Sequence, residues 1–419
     1  MRRLYSGLLW LILPLHLLGL AWRGLREPEY WRGGAQRFGF GFRSDDASAG
    51  CVWIHAVSMG EVQAAAPLVA ALHERGERVL LTATTPTGRR RAQQLCGTIA
   101  MVRYAPLDFT GGVLRVLRAA RPHLLIVMET ELWPNLLHAC ARAQIPVLVA
   151  SARLSARTAA RLARWPGLLG APALANLHVA AQTSADADRY RSLGVPGPAV
   201  RVLGNLKFDV EIPARTLAGA SGLREALGSE RPVWVAGSTH PVEEDAVLEA
   251  HRRLCRQRPA LLVLAPRHPQ RFDESAARLR TDGWQFVRRS AGVSPDPACE
   301  VLLLDTMGEL DNFYAAADLV YVGGSLVPVG GHNLLEPVML GVATVTGPLH
   351  TAAPEVFASL RDAGALAVAE DAEALAGQVA HLLASQADRA RLIAAGGTVL
   401  QANRGSLNLI TDWAMALSR

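Results

Sequence analysis

From Leu4 to Trp22 the chain reads LYSGLLWLILPLHLLGLAW, with no Asp, Glu, Lys or Arg, close to the roughly 20 residues that cross a bilayer core. Arg2 and Arg3 precede this run, and Arg23 and Arg26 follow it. A cleaved signal would show a shorter apolar core and a small-residue cleavage site; AWRGLREPEYW follows instead, which predicts an uncleaved membrane anchor. Arginine on both flanks leaves the orientation open, and Pro14 also permits a helix that lies in the leaflet. Beyond the anchor, short apolar or β-branched runs alternate with longer helical patterns: Val52–Val57, Val79–Thr84, Leu124–Met128, Val147–Ser151 and His178–Ala181. A stretch of weak pattern, Val210 to Arg231, interrupts this rhythm. It then resumes with Val233–Ala236, Leu261–Ala265, Val301–Leu304, Leu319–Val322 and Val342–Thr346. The alternation predicts an α/β fold of two doubly wound, Rossmann-like halves with a cleft between them.

Length agrees, since 419 residues exceed the roughly 250–300 at which single cores divide. The five cysteines are an odd number without a C-x-x-C pair, which argues against a disulfide framework and a zinc site. A net charge of +6 favours anionic partners without choosing among nucleic acid, anionic lipid and nucleotide-linked substrates.

In doubly wound sheets ligands sit outside the carboxyl ends of the strands, so the residues just after each run carry the information. Glu61 follows Ser58-Met59-Gly60 at a strand-to-helix turn, where the helix dipole favours an ionised carboxylate and a general base could act; helix-end electrostatics explains it about as well. Glu129 and Glu131 in METELWPN follow an apolar strand and are expected on opposite sides, one of them structural. Glu131 could cap the helix that begins near Pro134, and Lys207 in GNLKFD could be a solvated lysine. Arg267 in LLVLAPRHP suits bidentate phosphate contact. In GGSLVPVGGHNLLEP, Asn333 to Glu336 open a helix whose amides could hold an anion, with Glu336 one turn in and placed for ribose hydroxyls. Asp186-Ala187-Asp188 reads as a solvated helix start, because residues two apart on a helix do not face each other. Arg153, Arg157, Arg161 and Arg164, beside Trp165, form a basic helix face suited to anionic lipid or to plain solvation. Neither a P-loop nor a G-x-G-x-x-G is present.

The strings SMGE, TPTG, METELWPN, SARLS, GNLKFD, STH, PRHP, DTMGEL, YVGGSLVPVGGHN and NLLEP occur in the order and spacing of the 3-deoxy-D-manno-oct-2-ulosonic acid (Kdo) transferases, which this chain resembles over nearly its whole length. The resemblance implies a GT-B glycosyltransferase that moves Kdo from CMP-Kdo to a lipid A precursor, with inversion, at the cytoplasmic face of a bacterial inner membrane. It implies Glu61 as the catalytic base, with Glu131 and Lys207 supporting the transition state. It also implies CMP contacts from Pro266 and Arg267, from Met307, Gly308 and Glu309, and from Asn333, Leu334, Leu335 and Glu336. No metal or other cofactor is required by this scheme, and the expected partners are CMP-Kdo, the lipid A precursor and anionic inner-membrane lipid, not nucleic acid. The corresponding organisation is an anchor at 1–26, an acceptor-binding half at 27–210, a linker at 211–230, a CMP-Kdo-binding half at 231–400, and a C-terminal helix at 401–419 packing back on the first half.

Two positions depart from the family pattern: Gln36 stands where a glutamate is usual, and Ala353-Pro354 where Asn-Phe is common. Another nucleotide-sugar transferase or a nucleotide-sugar 2-epimerase shares the fold pattern, and a non-enzymatic membrane scaffold is the alternative from a different class. The epimerase would work on soluble nucleotide sugars and has no use for residues 4–22; the scaffold leaves the strand-end charges unexplained.

Overall fold

In the computed structural model, residues 1–26, 31–42, 50–209 and 214–418 are described. They fall into two compact units, Met1–Asp209 with Asn403–Arg419, and Val210–Ala402. In the first unit the strands are β1 (Cys51–His55), β2 (Val79–Ala83), β3 (Ala100–Tyr104), β4 (Pro122–Met128), β5 (Val147–Ala152), β6 (Leu177–Ala181) and β7 (Val200–Val202). In the second they are β8 (Val233–Thr239), β9 (Leu261–Pro266), β10 (Phe286–Arg288), β11 (Val301–Leu303), β12 (Leu319–Val322), β13 (Thr344–Thr346) and β14 (Leu366–Val368).

The described strands make two sheets of seven, ordered β3-β2-β1-β4-β5-β6-β7 and β10-β11-β9-β8-β12-β13-β14, parallel throughout. Strand order reverses between β1 and β4 in one sheet and between β8 and β12 in the other, so each unit is doubly wound with one switch point. Central strands such as β1, β2 and β8 are buried almost end to end, as expected for parallel strands covered by helices on both faces. In the first unit the core divides accordingly. Trp53, Leu125, Val127 and Val149 pack on one side of the sheet, and Val52, Ile54, Leu81 and Ile126 on the other.

The chain returns to the first unit at its end. The helix Ser406–Leu417 buries Ile410, Trp413 and Ala414 against the second of those clusters. Asp209 accepts from Gly405 N at 3.2 Å and Leu407 N at 2.6 Å, fixing the start of that helix. The stretch of weak pattern after Asp209 needs correcting: Ala214–Leu227 is a helix in the second unit, held by Arg224, which donates to Asp318 at 3.1 Å. Its Ala, Leu, Arg and Glu are good helix formers, and Gly219 and Gly222 hid the period. Residues 210–213 of that linker lie outside the described residues.

The first helix, Arg2–Arg26, carries Pro14 within it and is apolar and long enough to cross a membrane by length and composition, with a mean hydropathy of 1.8 over an 18-residue window within Arg2–Leu25.

Candidate active site

At the switch point of the first unit the ends of β1 and β4 lie side by side, and the carboxylates named from the sequence follow them. Ser58 caps the helix Met59–Glu74, its hydroxyl accepting from Glu61 N at 3.3 Å. The Glu61 carboxylate folds back: Oε2 accepts from Val57 N at 2.9 Å and Oε1 from Ser58 Oγ at 2.9 Å. This is a capping box displaced by one residue, so Glu61 does fill the cap role weighed against catalysis. Its electrostatics differ from the expectation of a carboxylate held ionised by the helix dipole. Burial pushes the Glu61 carboxyl up to about 7, against the pull of the Val57 N–H and Ser58, and the charges of Glu131 and Glu129 push the same way. A carboxyl with that value changes charge near neutrality, where a general base works best.

Glu129 and Glu131 have different partners, and strand alternation is not the cause, since residues two apart in a strand share a face; the left-handed backbone at Glu129, just past the end of β4, is what turns them apart. Glu131 Oε2 accepts from Trp133 Nε1 at 2.7 Å, and burial raises its carboxyl. Glu129 Oε1 lies 2.7 Å from Lys207 Nζ, so the lysine named from the sequence is paired rather than merely solvated. Sequence reasoning named Glu129 without giving it this role. The signal available was the E-T-E string, which does not say which acid reaches a lysine more than 70 residues away. Two backbone positions seat the pair: Glu129 at φ 54° and Ser151 at φ 49° adopt the left-handed conformation, disfavoured for residues with a Cβ, at the ends of adjacent strands. Ser151 Oγ accepts from Leu206 N at 2.9 Å, and Asn205 Oδ1 from Lys207 N at 2.9 Å, which fixes the turn that presents Lys207.

Asp186 is corrected from a solvated helix start to a buried tether: it is 5% exposed, accepting from Leu154 N at 2.9 Å and Thr183 Oγ1 at 2.6 Å. Asp188 is exposed and pairs with Arg191. Gln36 Oε1 accepts from Tyr104 N at 2.8 Å, so this departure from the family pattern serves the packing of β3.

In the second unit the switch point gathers the ends of β8, β9 and β12. Pro266 is buried as the last residue of β9, and Arg267 follows it, exposed, with its N–H on Thr239 O at 3.0 Å. Glu336 sits near Arg267: burial and Asp311 raise its carboxyl, while the Asn333 amide and Arg267 lower it. Asn333 Nδ2 donates to Glu336 Oε1 at 3.0 Å. The helix they open is Leu335–Met339, five residues long, and Glu336 is its second residue rather than one turn in. Leu334 and Leu335 are 2% and 6% exposed, so within this string the polar side chains are those of Asn333 and Glu336. Met307 is 66% exposed and Gly308 has φ 83°, whereas Glu309 is held by Arg289 Nε at 2.8 Å and Thr306 Oγ1 at 3.2 Å.

Three histidines and a buried glutamate join this site without having been singled out in the sequence. His240 Nε2 and His332 Nε2 are 2.9 Å apart with their rings parallel to within 2° and meeting end to end, and the His268 ring stands edge-on to His240 at 5.4 Å. The hydrogen bond requires one ring to donate and the other to accept. Burial, with Arg267 adding, holds the His332 imidazole down to about 4, so it is neutral at ordinary pH. Glu243, 1% exposed, accepts from His240 N at 2.9 Å and Gly324 N at 2.6 Å, and from Tyr321 OH at 3.0 Å. It thereby ties the glycine turn after β12 to the end of β8. Gly324 has φ 71°, and a Cβ there would fall 2.8 Å from the His332 ring. The signal was present as one histidine in each of STH, PRHP and GGHN, but the strings lie up to 92 residues apart and only the sheet order joins them.

Residues 32–210 match the family described as 3-Deoxy-D-manno-octulosonic-acid transferase (kdotransferase), and residues 293–398 match Glycosyl transferases group 1. The 3-deoxy-D-manno-octulosonic acid transferase of Haemophilus influenzae is 39% identical over 415 residues, covering 98% of this chain and 97% of the relative. That of Bordetella pertussis is 41% identical over 435 residues, covering 98% and 99%. Among solved structures, MurG of Acinetobacter baumannii superposes with a TM-score of 0.56 at 16% identity, covering 88% of this chain and 100% of that one. The UDP-GlcNAc 2-epimerase of Neisseria meningitidis reaches 0.55 at 13%, with the same coverage. These two share the fold with this chain, a GT-B arrangement of two Rossmann-like units, and at such identities nothing more. With relatives near 40% identical along its whole length, the chain belongs to the 3-deoxy-D-manno-octulosonic acid (Kdo) transferase family of glycosyltransferases.

Proposed function

We propose that the chain transfers Kdo from CMP-Kdo to a lipid A precursor, lipid IVA, with Glu61 as general base. An acceptor hydroxyl gives its proton to the Glu61 carboxylate as its oxygen bonds to the anomeric carbon of Kdo. The bond from that carbon to the phosphate oxygen breaks on the opposite face, and its electron pair leaves with CMP, inverting the centre. The observation that carries this reading is the Glu61 carboxylate itself, fixed by Val57 N–H and Ser58 and raised to about 7. A group that served only as a helix cap would be better left fully ionised.

Lys207, held by Glu129, supplies the positive charge of the first unit's site, and Glu131 a second carboxylate. In the second unit Arg267 binds the donor phosphate, and Asn333 and Glu336 accept or donate to the ribose, while Met307 to Glu309 line the cytidine. The apolar first helix holds the enzyme at the cytoplasmic face of an inner membrane, with Arg157, Arg161 and Arg164, all exposed, and Arg153 near anionic headgroups.

The test is transfer by the purified chain from CMP-Kdo to tetra-acylated lipid A precursor in EDTA, read by mass spectrometry of the lipid. Mass increments of one Kdo are expected and count the units added. No increment from a folded, CMP-binding protein overturns the acceptor assignment, and release of free sugar isomers from a UDP-linked substrate would point to the epimerase reading.

A further inference from the structure

The first helix is tied to the first unit at its start, and the chain that follows it is tied to the same place. Arg2 Nη1 and Ser6 Oγ each donate to Asn135 Oδ1 at 3.1 Å, and Tyr5 OH donates to Asp108 Oδ2 at 3.0 Å. The Trp10 ring packs on Phe109, centroids 4.9 Å apart. The receiving groups are built into the core: Asp108 is 8% and Asn135 1% exposed, and Asp108 also accepts from Asn135 N and Leu136 N at 3.0 and 2.8 Å. After the helix, Gln36 Oε1 accepts from Tyr104 N, Leu107 N donates to Arg37 O at 2.8 Å, and Arg115 Nε donates to Phe38 O at 2.8 Å. Residues 104–115 and 135 therefore hold the chain at the start of the apolar segment and again beyond its end.

A bilayer crossing cannot satisfy both attachments. From Trp10 to Arg26 a helix advances about 24 Å at ~1.5 Å per residue, short of the roughly 30 Å hydrocarbon core. By Gly33, seven residues beyond Arg26, the chain is back against Tyr104. A spanning helix would carry its two ends to opposite sides of the membrane, and one attachment would have to break.

We propose that the first helix is an in-plane anchor, seated in the cytoplasmic leaflet of an anionic bilayer with both of its ends on the side of the first unit. This rests on the proposed membrane attachment. The face presented to lipid is Leu4, Leu8, Leu11, Leu15, Leu18, Trp22 and Leu25, exposed and spaced three and four apart along one stripe. Exposed Arg3 and Arg23 flank it for anionic headgroups. The turn carrying Gly167, which follows the arginine-bearing helix Ala156–Ala163 and exposed Trp165, abuts Met1 at the start of the anchor. The occupant is thus an anionic lipid surface, which takes the apolar stripe and its flanking arginines together.

The experiment uses the full chain in a Gram-negative host, with Arg3→Cys and, on an exposed helix of the first unit, Gln94→Cys, each labelled by an impermeant maleimide over a wild-type baseline. Both are expected to label in inverted membrane vesicles and neither in spheroplasts; Arg3→Cys labelling from outside while Gln94→Cys labels from inside means a crossing and overturns the proposal. Nitroxides at Leu8→Cys and Leu18→Cys in phosphatidylglycerol–phosphatidylethanolamine vesicles are expected at equal depth, whereas a difference near ~15 Å, the rise of ten residues, overturns it. Failure of the wild-type chain to sediment with those vesicles overturns the membrane reading beneath it, and concentration-dependent dimerisation through the stripe instead of vesicle binding assigns it to a second copy.

Discussion

Lys207 Nζ lies 2.7 Å from Glu129 Oε1, while Glu131, two residues on, is bonded to the Trp133 indole. Two acids that look equivalent in METELWPN are thus divided by one left-handed residue. Both raise the Glu61 carboxyl, so the charge balance around the proposed base is set by which of them is neutralised.

That balance is measurable as the acid limb of the pH profile of kcat/KM. The base acts ionised, so the limb should fall near pH 7, the value to which Glu61 is raised. Glu129→Gln removes a negative neighbour and should move the limb to lower pH. Lys207→Met leaves Glu129 uncompensated and should move it higher. Limbs that stay put in both variants would mean that the pair does not couple to the base.

Glu61→Gln should cut kcat by about 10²–10⁴-fold, the usual range for a lost general base, with CMP affinity near normal. Stability separates this from a capping role. Because the folded carboxyl is raised above its ordinary value, the protonated form favours the fold; the stability present at low pH is lost as pH rises through about 7. The glutamine variant escapes that loss, so its Tm at pH 8 should equal or exceed that of the wild type. A lower Tm at pH 8 would mark Glu61 as a structural cap first.

Arg267→Ala should raise the CMP-Kdo KM by roughly 10-fold or more, as expected for one lost charge-assisted contact. Arg267 is exposed, so the melting temperature should not move. An unchanged KM together with unchanged CMP binding would take the arginine out of the donor site.

Gln36→Ala removes the acceptor of Tyr104 N–H and should cost about 1 kcal/mol in denaturant unfolding, leaving both substrate KM values as they were. Gln36→Glu, which restores the residue usual in the family, keeps an acceptor and should cost less. A change in acceptor KM with either variant would assign this position to substrate instead of packing.

The inner strands were legible from the sequence because parallel strands covered on both faces are written as unbroken apolar runs: Val79–Thr84 against β2, Leu261–Ala265 against β9, and Leu319–Val322 against β12. The strands that those runs omit are β3, β7, β10 and β14, the edges of the two sheets. AMVRY, VRV and FVR carry charged residues among the apolar ones because an edge strand is covered less completely, so the run that marks a strand is broken. The same reasoning found the strand-end residues. Lys207 and Arg267 could be named because turns do not call for charged groups at those points, and Glu61 could be named although it also fills a cap.

Partnership was decided only in three dimensions. That Lys207 takes Glu129, that Asp186 receives Leu154 N, that His240 meets His332, and that Asp108 receives Tyr5 all depend on strand order and on residues 32 to 103 positions apart. Sequence records which residues are charged or apolar and at what period, because those properties are local. A hydrogen bond between distant segments, and the change in charge state that burial imposes on it, exists only once the sheets have assembled.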